Sequence, residues 1–233
     1  MADQRSTVII GGTSGIGRAL AERHAQAGED VIITGRNQER TSAIASEIGD
    51  RVKGLALDLI EPEAIAERLS KIDRVDNLVI GAIERDHNLV REFNIKTAQR
   101  VVTLKLVGYT EVIHALLPRI TTEGSVVLFG GVARERPYPG STTVTAVNGG
   151  VTSLIRSLAV ELAPIRFNVI HPGIISDSPF WADKPQAIEA IKQRTPGGRL
   201  VTTEDIVNAV DFLLTNNGVN GVNLTVDGGW MAM

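Results

Sequence analysis

The chain has 233 residues, a formal net charge of −3 and no cysteine. The length suits one α/β domain (1–233) with a large core, and the missing cysteine excludes disulfides, thiolate catalysis and cysteine-ligated zinc. Acids and bases are interspersed, so no basic stripe recommends nucleic acid, and no polybasic or amphipathic segment recommends a membrane. No uninterrupted apolar run is expected to span a bilayer. Residues 1–7 are polar, and the apolar run after them ends at glycine, which is not the pattern of a signal peptide. A cytoplasmic protein acting on a small molecule is the expectation.

The first predicted strand, Val8-Ile9-Ile10, runs into Gly11-Gly12-Thr13-Ser14-Gly15-Ile16-Gly17 and then a helix from Arg18. Strand, glycine turn and helix start in that order make a seat for phosphate. Residues without Cβ let the backbone approach the ligand, and the helix start offers free N–H groups and a positive dipole end. No Gly-Lys-Ser/Thr closes the turn, which argues against a P-loop. A second strand at 31–34 follows after one helix, giving a βαβ start. A helix over 38–48 ends at Gly49, and a third strand covers 52–57. Pro62 opens a helix to about 69, where proline is tolerated. A fourth strand lies at 78–80, a long helix over 97–117 stops at Pro118, and a fifth strand covers 125–129. An irregular segment, 133–141, precedes a helix over 143–162. A sixth strand at 165–170 leads into an excursion, 171–202, with a short helix near 186–193. A helix over 204–214 and a strand at 222–226 complete the chain. Apolar strands alternating with helices predict a doubly wound, mostly parallel seven-stranded sheet covered on both faces. Ligand is expected beyond the C-terminal strand ends, where glycines crowd.

The turn spacing Gly-x-x-x-Gly-x-Gly, Thr34-Gly35-Arg36-Asn37, Asp58-Leu59, Asp76-Asn77-Leu78-Val79, the block 156–169, Pro172-Gly173-Ile174-Ile175 and Val226-Asp227-Gly228-Gly229 together resemble the short-chain dehydrogenase/reductase family. The resemblance covers essentially the whole chain and implies a Rossmann-like fold and a nicotinamide dinucleotide. It places Gly11, Thr13, Ser14, Gly15, Ile16, Gly17, Arg36, Asp58, Leu59, Ala82, Asn148, Pro172, Gly173 and Ile175 against that cofactor. An acid at the end of the second strand accepts hydrogen bonds from the ribose 2′-OH and repels a 2′-phosphate. Gly35 stands where NAD-using relatives carry that acid, and Arg36 follows, so NADP(H) is favoured over NAD(H). Arg36 can also be a solvated loop residue, Arg18 a second phosphate ligand or a surface arginine, and Asp58 an adenine contact or a helix cap.

The family's reaction uses a tyrosine as proton donor, a lysine four residues on, a serine and an asparagine. By the resemblance, Val144 stands at the tyrosine position, Asn148 at the lysine, Gly131 at the serine and Lys105 at the asparagine. Valine and glycine cannot transfer a proton, and no Tyr-x-x-x-Lys occurs in the chain. Lysine and asparagine have traded places, so Lys105 is the candidate to fill the hole left by Val144 and Asn148; the alternative is a solvent or subunit-contact lysine. Tyr138 is a displaced acid or a loop residue packed on Pro137 and Pro139. Tyr109 is a partner for Lys105 or core packing. His171 is read as structural, and His24 as a helix residue without special partner. Asp177 takes the place of a threonine that contacts the carboxamide in relatives. Trp181 is a lid or loop packing. No His/Asp/Glu spacing recommends a metal. The resemblance implies a homodimer or homotetramer through the helices at 97–117 and 143–162, with Gly149-Gly150 permitting close contact. Two readings follow: an NADP(H)-dependent oxidoreductase with an altered proton donor, or a pseudoenzyme that binds NADP(H) as a sensor or partner subunit.

Overall fold

The computed structural model describes residues 5–181 and 183–233. Its first half runs β1 (Ser6–Ile10), α1 (Gly15–Gln26), β2 (Asp30–Gly35), α2 (Gln38–Ile48), β3 (Val52–Ala56), α3 (Pro62–Leu69) and β4 (Val75–Ile80). The second half continues with α4 (Ile95–Val102), a π-helical turn (Thr103–Gly108), α5 (Tyr109–Leu116), β5 (Ile120–Phe129), α6 (Thr142–Glu161), β6 (Arg166–Pro172), α7 (Pro185–Gln193), α8 (Thr203–Thr215) and β7 (Asn223–Val226). The sheet order is β3-β2-β1-β4-β5-β6-β7, and every neighbouring pair is parallel. The strand order switches between β1 and β4, which leaves a crevice beyond their C-terminal ends.

Period-two alternation sorts the core onto two faces. Val8, Ile10, Leu78, Ile80, Val126 and Leu128 bury against Leu104, Val112, Ile113 and Ile155 on one side. Ile9, Ile33, Val79, Val127 and Ile170 bury against Leu20, Ile206, Val210 and Leu213 on the other. Each such side chain contributes on the order of 1.5–3 kcal/mol of burial.

Several elements depart from the sequence expectation. β4 begins at Val75 rather than 78, and β5 at Ile120 rather than 125. Val75 pairs with Ile120 and Asn77 with Ser125, so residues 121–124 bulge out between two paired stretches. Polar residues in the bulge disguise the strand start. The expected single helix over 97–117 starts at Asn94, whose side chain caps Thr97 N–H, and contains the π-helical turn. The continuous stretch Ile95–Arg119 is long and apolar enough, by length and composition, to cross a membrane, which corrects the expectation that no segment is. In the fold Val101, Leu104, Tyr109, Val112, Ile113 and Leu116 are buried, and the stretch packs between α3 and α6.

Contrary to its reading as unpartnered, His24 is buried between two carboxylates: Nδ1 lies 2.7 Å from Glu29 and Nε2 3.2 Å from Asp211. Burial alone would lower its pKa. The hydrogen bonds and charges of Asp211 and Glu29 outweigh that and raise it to about 9. Arg23 adds an ion pair to Asp211 at 2.9 Å and another to Glu204, which ties α1 to α8.

Candidate functional site

The glycine turn is held by contacts that exclude a side chain. Gly11 has φ +89°, and a Cβ on it would lie 2.8 Å from Ala82 N. A Cβ on Gly17 would lie 2.3 Å from the Gly11 carbonyl oxygen, so α1 starts hard against the turn. Around Gly15 nothing lies within 4 Å of a would-be Cβ, so this side of the turn faces open space. Ser14 precedes α1 in extended geometry and makes no side-chain capping bond. The first N–H groups of α1 therefore have no cap from Ser14, which suits a pyrophosphate. Gly11 N–H donates to Thr34 Oγ1 at 3.2 Å, fastening the turn to β2.

The end of β2 is crowded by two threonine side chains. A Cβ at Gly35 would lie 2.6 Å from both Thr13 Cγ2 and Thr41 Oγ1. Arg36 beside it is exposed, lines the cleft and makes no ion pair among the described residues. Arg18 pairs at the surface with Glu22 (2.8 Å) and Glu47 (3.2 Å). Asp58 Oδ1 accepts from Ile60 N–H at 3.2 Å, and the cap position of α3 belongs to Glu61, so Asp58 is not the helix cap. Asp58 and Leu59 line the cleft wall.

One cleft of about 1240 Å³ gathers Gly11, Thr13, Ser14, Gly15, Ile16, Gly17, Arg36, Asp58, Leu59, Ala82, Asn148, Pro172, Gly173 and Ile175. It brings all of the expected cofactor residues to one edge of the sheet. A neighbouring branch of about 460 Å³ shares Gly130, Leu104, Tyr138, Val144 and Asn148 with it, and Lys105 lies in the wall of that branch. Lys105 sits in the π-helical turn, a distortion common at functional sites. It is 5% exposed, and its Nζ donates to the Tyr109 hydroxyl at 3.2 Å. Tyr109 in turn donates to Ala82 O at 2.8 Å. No carboxylate offsets the burial of the amine, which brings its pKa down to about 7. Burial likewise pushes the Tyr109 phenol well above its usual range. The solvent-facing alternative for Lys105 is thereby excluded, and Tyr109 is both core and partner.

The residues around Val144 fit one another. His171 is fully buried, accepts from Gly131 N–H at Nδ1 (3.0 Å) and lies 2.9 Å from Asn223 Oδ1 at Nε2. Burial, aided by the charges of Arg134 and Lys105, lowers its pKa to about 4, so it is neutral at physiological pH. A Cβ at Gly130 would strike its ring, 2.2 Å from Nδ1, and one at Gly131 would lie 2.8 Å from Asn148 Nδ2. The two glycines at the end of β5 are therefore companions of His171 and Asn148. Local sequence reading misses this coupling because the partners are 17 and 40 positions from Gly131.

Tyr138 lines both the cleft and its branch, and is 51% exposed. Asp177 does not line the cleft. Its Oδ1 accepts from Thr203 N–H (2.9 Å) and Thr203 Oγ1–H (3.0 Å), which ties the excursion to the start of α8. Trp181 and Phe180 pack edge to face, 4.9 Å between centroids, over the cleft.

A doubly wound parallel sheet with a glycine-bounded cleft at its topological switch point defines a dinucleotide-binding type of α/β domain. The family model described as enoyl-(acyl carrier protein) reductase matches residues 11–231. The chain is 31% identical to 3-oxoacyl-[acyl-carrier-protein] reductase FabG of Haemophilus influenzae, covering 95% of this chain and 96% of the relative. It is 33% identical to 3-oxoacyl-[acyl-carrier-protein] reductase of Bos taurus, covering 95% of each. A crystal structure of a putative betaketoacyl-ACP reductase superposes with TM-score 0.89 at 27% identity over 100% of both chains. The chain belongs to the short-chain dehydrogenase/reductase family, a family of oxidoreductases.

Proposed function

We propose that this chain binds NADP(H) and interconverts a carbonyl and an alcohol on a small molecule, with Lys105 in place of the usual tyrosine as proton donor. The single observation that supports it best is the buried, carboxylate-free amine of Lys105 in the branch bounded by Val144 and Asn148. When bound, a nicotinamide cofactor supplies or accepts the hydride. Gly11, Thr13, Ser14, Gly15, Ile16 and Gly17 shape the seat for the pyrophosphate. Arg36, free of ion pairs among the described residues and next to a glycine rather than an acid, meets the 2′-phosphate. Asp58, Leu59, Ala82, Pro172, Gly173 and Ile175 line the remaining walls. The Asn148 side chain makes no hydrogen bond to the described residues and supplies the amide for the nicotinamide ribose. Lys105 Nζ, near neutrality, gives a proton to the developing alkoxide and takes one back in the reverse direction. The relatives named 3-oxoacyl-[acyl-carrier-protein] reductase are consistent with a carbonyl substrate.

The test is single-turnover oxidation of bound NADPH against aldehydes, ketones, quinones and enones. Turnover in wild type and its loss in Lys105→Met support the reading. NADPH binding with no turnover against the whole panel supports the second reading, a pseudoenzyme, which Val144 and the paired glycines at 130 and 131 favour. Tyr138 is tested in the same assay as the alternative donor, through Tyr138→Phe. Self-association through α4, the π-helical turn, α5 and α6 belongs to the same proposal: Val102 and Val107 expose apolar side chains there, and Val160 on α6 is 82% exposed. So does a cytoplasmic location.

A further inference from the structure

In the wall of the branch that holds Lys105, two cations share one aromatic ring, that of Phe180. The Arg85 guanidinium carbon lies 3.5 Å from the Phe180 ring centroid, and Lys184 Nζ lies 3.5 Å from the same centroid. Two groups of that size cannot occupy one face at that distance, so the ring is stacked between them. The charges are then well within a Debye length of each other. Lys184 is held by Phe180 O at 3.3 Å, and neither cation makes an ion pair among the described residues. Nearby carboxylates do not neutralise them. Glu84 is taken by Arg100 at 2.6 Å, and Asp86 Oδ2 is buried without a hydrogen bond and is not paired to Arg85. Arg136, on the same rim, is engaged with Trp230 through its carbonyl (2.6 Å) and its ring.

Two cations around one ring repel, and a cation–π contact offsets that only in part. Burial presses the Arg85 guanidinium below its ordinary pKa, and the only group that offsets this is the Tyr138 phenol. A guanidinium stacked on a ring keeps its edge free, and that edge is where a carboxylate forms paired hydrogen bonds. Arg85 and Phe180 line both the cleft and the branch that holds Lys105 and Val144. A branch of about 460 Å³ has the size of a small-molecule site. Val101, Leu104, Val144 and Val147 give the branch an apolar side next to Lys105 and Asn148, while Glu84, Asp86 and His87 join Arg85 in its lining.

We infer that the substrate is an oxo-carboxylic acid: its carboxylate docks on the free edge of Arg85, in the field of Lys184, while its carbonyl reaches inward to Lys105. The inference rests on the proposed reduction at the same site and names its substrate class.

The experiment compares 4-oxo-4-phenylbutanoate with its methyl ester by calorimetry, with and without saturating NADPH. The acid is expected to bind at least tenfold more tightly than the ester. Arg85→Gln is expected to bring that ratio near one, Arg85→Lys to restore part of it, and Lys184→Gln to reduce it less than Arg85→Gln does. Equal binding of acid and ester, binding of neither, or a preference that survives in Arg85→Gln overturns the inference. Circular dichroism on each variant establishes that it is folded. Failure of wild type to bind NADPH strikes the proposed function instead, because the acid-to-ester ratio is read independently of the cofactor.

Discussion

At the scale of single residues, Lys105 carries a burial cost that no carboxylate offsets. An amine brought down to about 7 from 10.5 by burial binds fewer protons in the folded than in the unfolded state between those values. Its burial therefore lowers stability most at and below pH 7, and the penalty fades as pH rises toward 10.5. Lys105→Met is expected to raise stability at pH 6 by an amount on the order of a few kcal/mol, with the gain closing toward pH 10.5. Urea unfolding across that range checks it. The same substitution should slow NADPH-dependent reduction by about 10²–10⁴-fold. In wild type, reduction should fall as pH rises through about 7, because the protonated amine is the donor. A pH-independent single-turnover rate from pH 6 to 9 counts against Lys105 in that role. At the other end of the cleft, Arg36→Ala should weaken NADPH binding about tenfold or more and leave NADH binding nearly unchanged, read by fluorescence titration. Gly35→Asp requires the Thr13 and Thr41 side chains to move, since its Cβ would meet them at 2.6 Å.

At the scale of elements, the α1–α8 clamp and the π-helical turn make opposite demands. His24, raised to about 9, contributes stability that is complete below pH 6.5 and lost as pH rises through about 9. Its partners Glu29 and Asp211 are held below their ordinary carboxylate range despite burial, chiefly by their bonds to His24. The stability difference between wild type and His24→Gln should therefore be largest near pH 6 and vanish above about pH 9; a constant difference in urea midpoint would remove this account. His171, lowered to about 4, works the other way: its contribution is complete above pH 6.5 and is lost as pH falls through about 4. The π-helical turn depends on Gly108, where a Cβ would lie 2.6 Å from the Leu59 carbonyl oxygen. That oxygen is backbone and cannot swing away. Gly108→Ala should cost about 1–3 kcal/mol in unfolding and shift Lys105 with the turn. Loss of turnover with NADPH affinity retained would separate this effect from collapse of the cleft.

At the scale of the whole molecule, the helices that bury Lys105 also present the apolar side chains proposed for self-association. Gly150 is used within the chain, with Leu106 Cδ2 2.9 Å from its would-be Cβ, whereas Gly149 faces open space and is available to a second copy. Val107→Glu should shift the protein to monomer in sedimentation velocity. Unchanged sedimentation would argue that this face is not the interface.

The glycine turn, the alternating strands and the order of helices were legible in the sequence because each is a local pattern. Period-two burial, a turn without Cβ atoms and a proline at a helix start are properties of neighbouring residues. The ends of β4 and β5 were less legible, because a bulge at 121–124 breaks the apolar run while the pairing continues beyond it. Most residues that the resemblance set against a cofactor fall in the glycine turn and just past strand ends, so they come together at one sheet edge, with Asn148 joining them from α6. The pairing of His24 with Asp211, Asp177 with Thr203, and Arg85 with Phe180 joins positions far apart in the chain, where no periodicity reaches.

The sequence by itself determined the doubly wound class, the glycine turn between β1 and α1 and the absence of any tyrosine-x-x-x-lysine pair, since these follow from residue types in short register. Only the tertiary structure decided that Lys105 is buried against Tyr109 with no carboxylate partner, that His171 and Asn148 occupy the space beside Gly130 and Gly131, and that Arg85 and Lys184 stack on one ring. Desolvation and excluded volume depend on what the rest of the chain brings within a few ångströms, and that is settled by packing rather than by order along the chain.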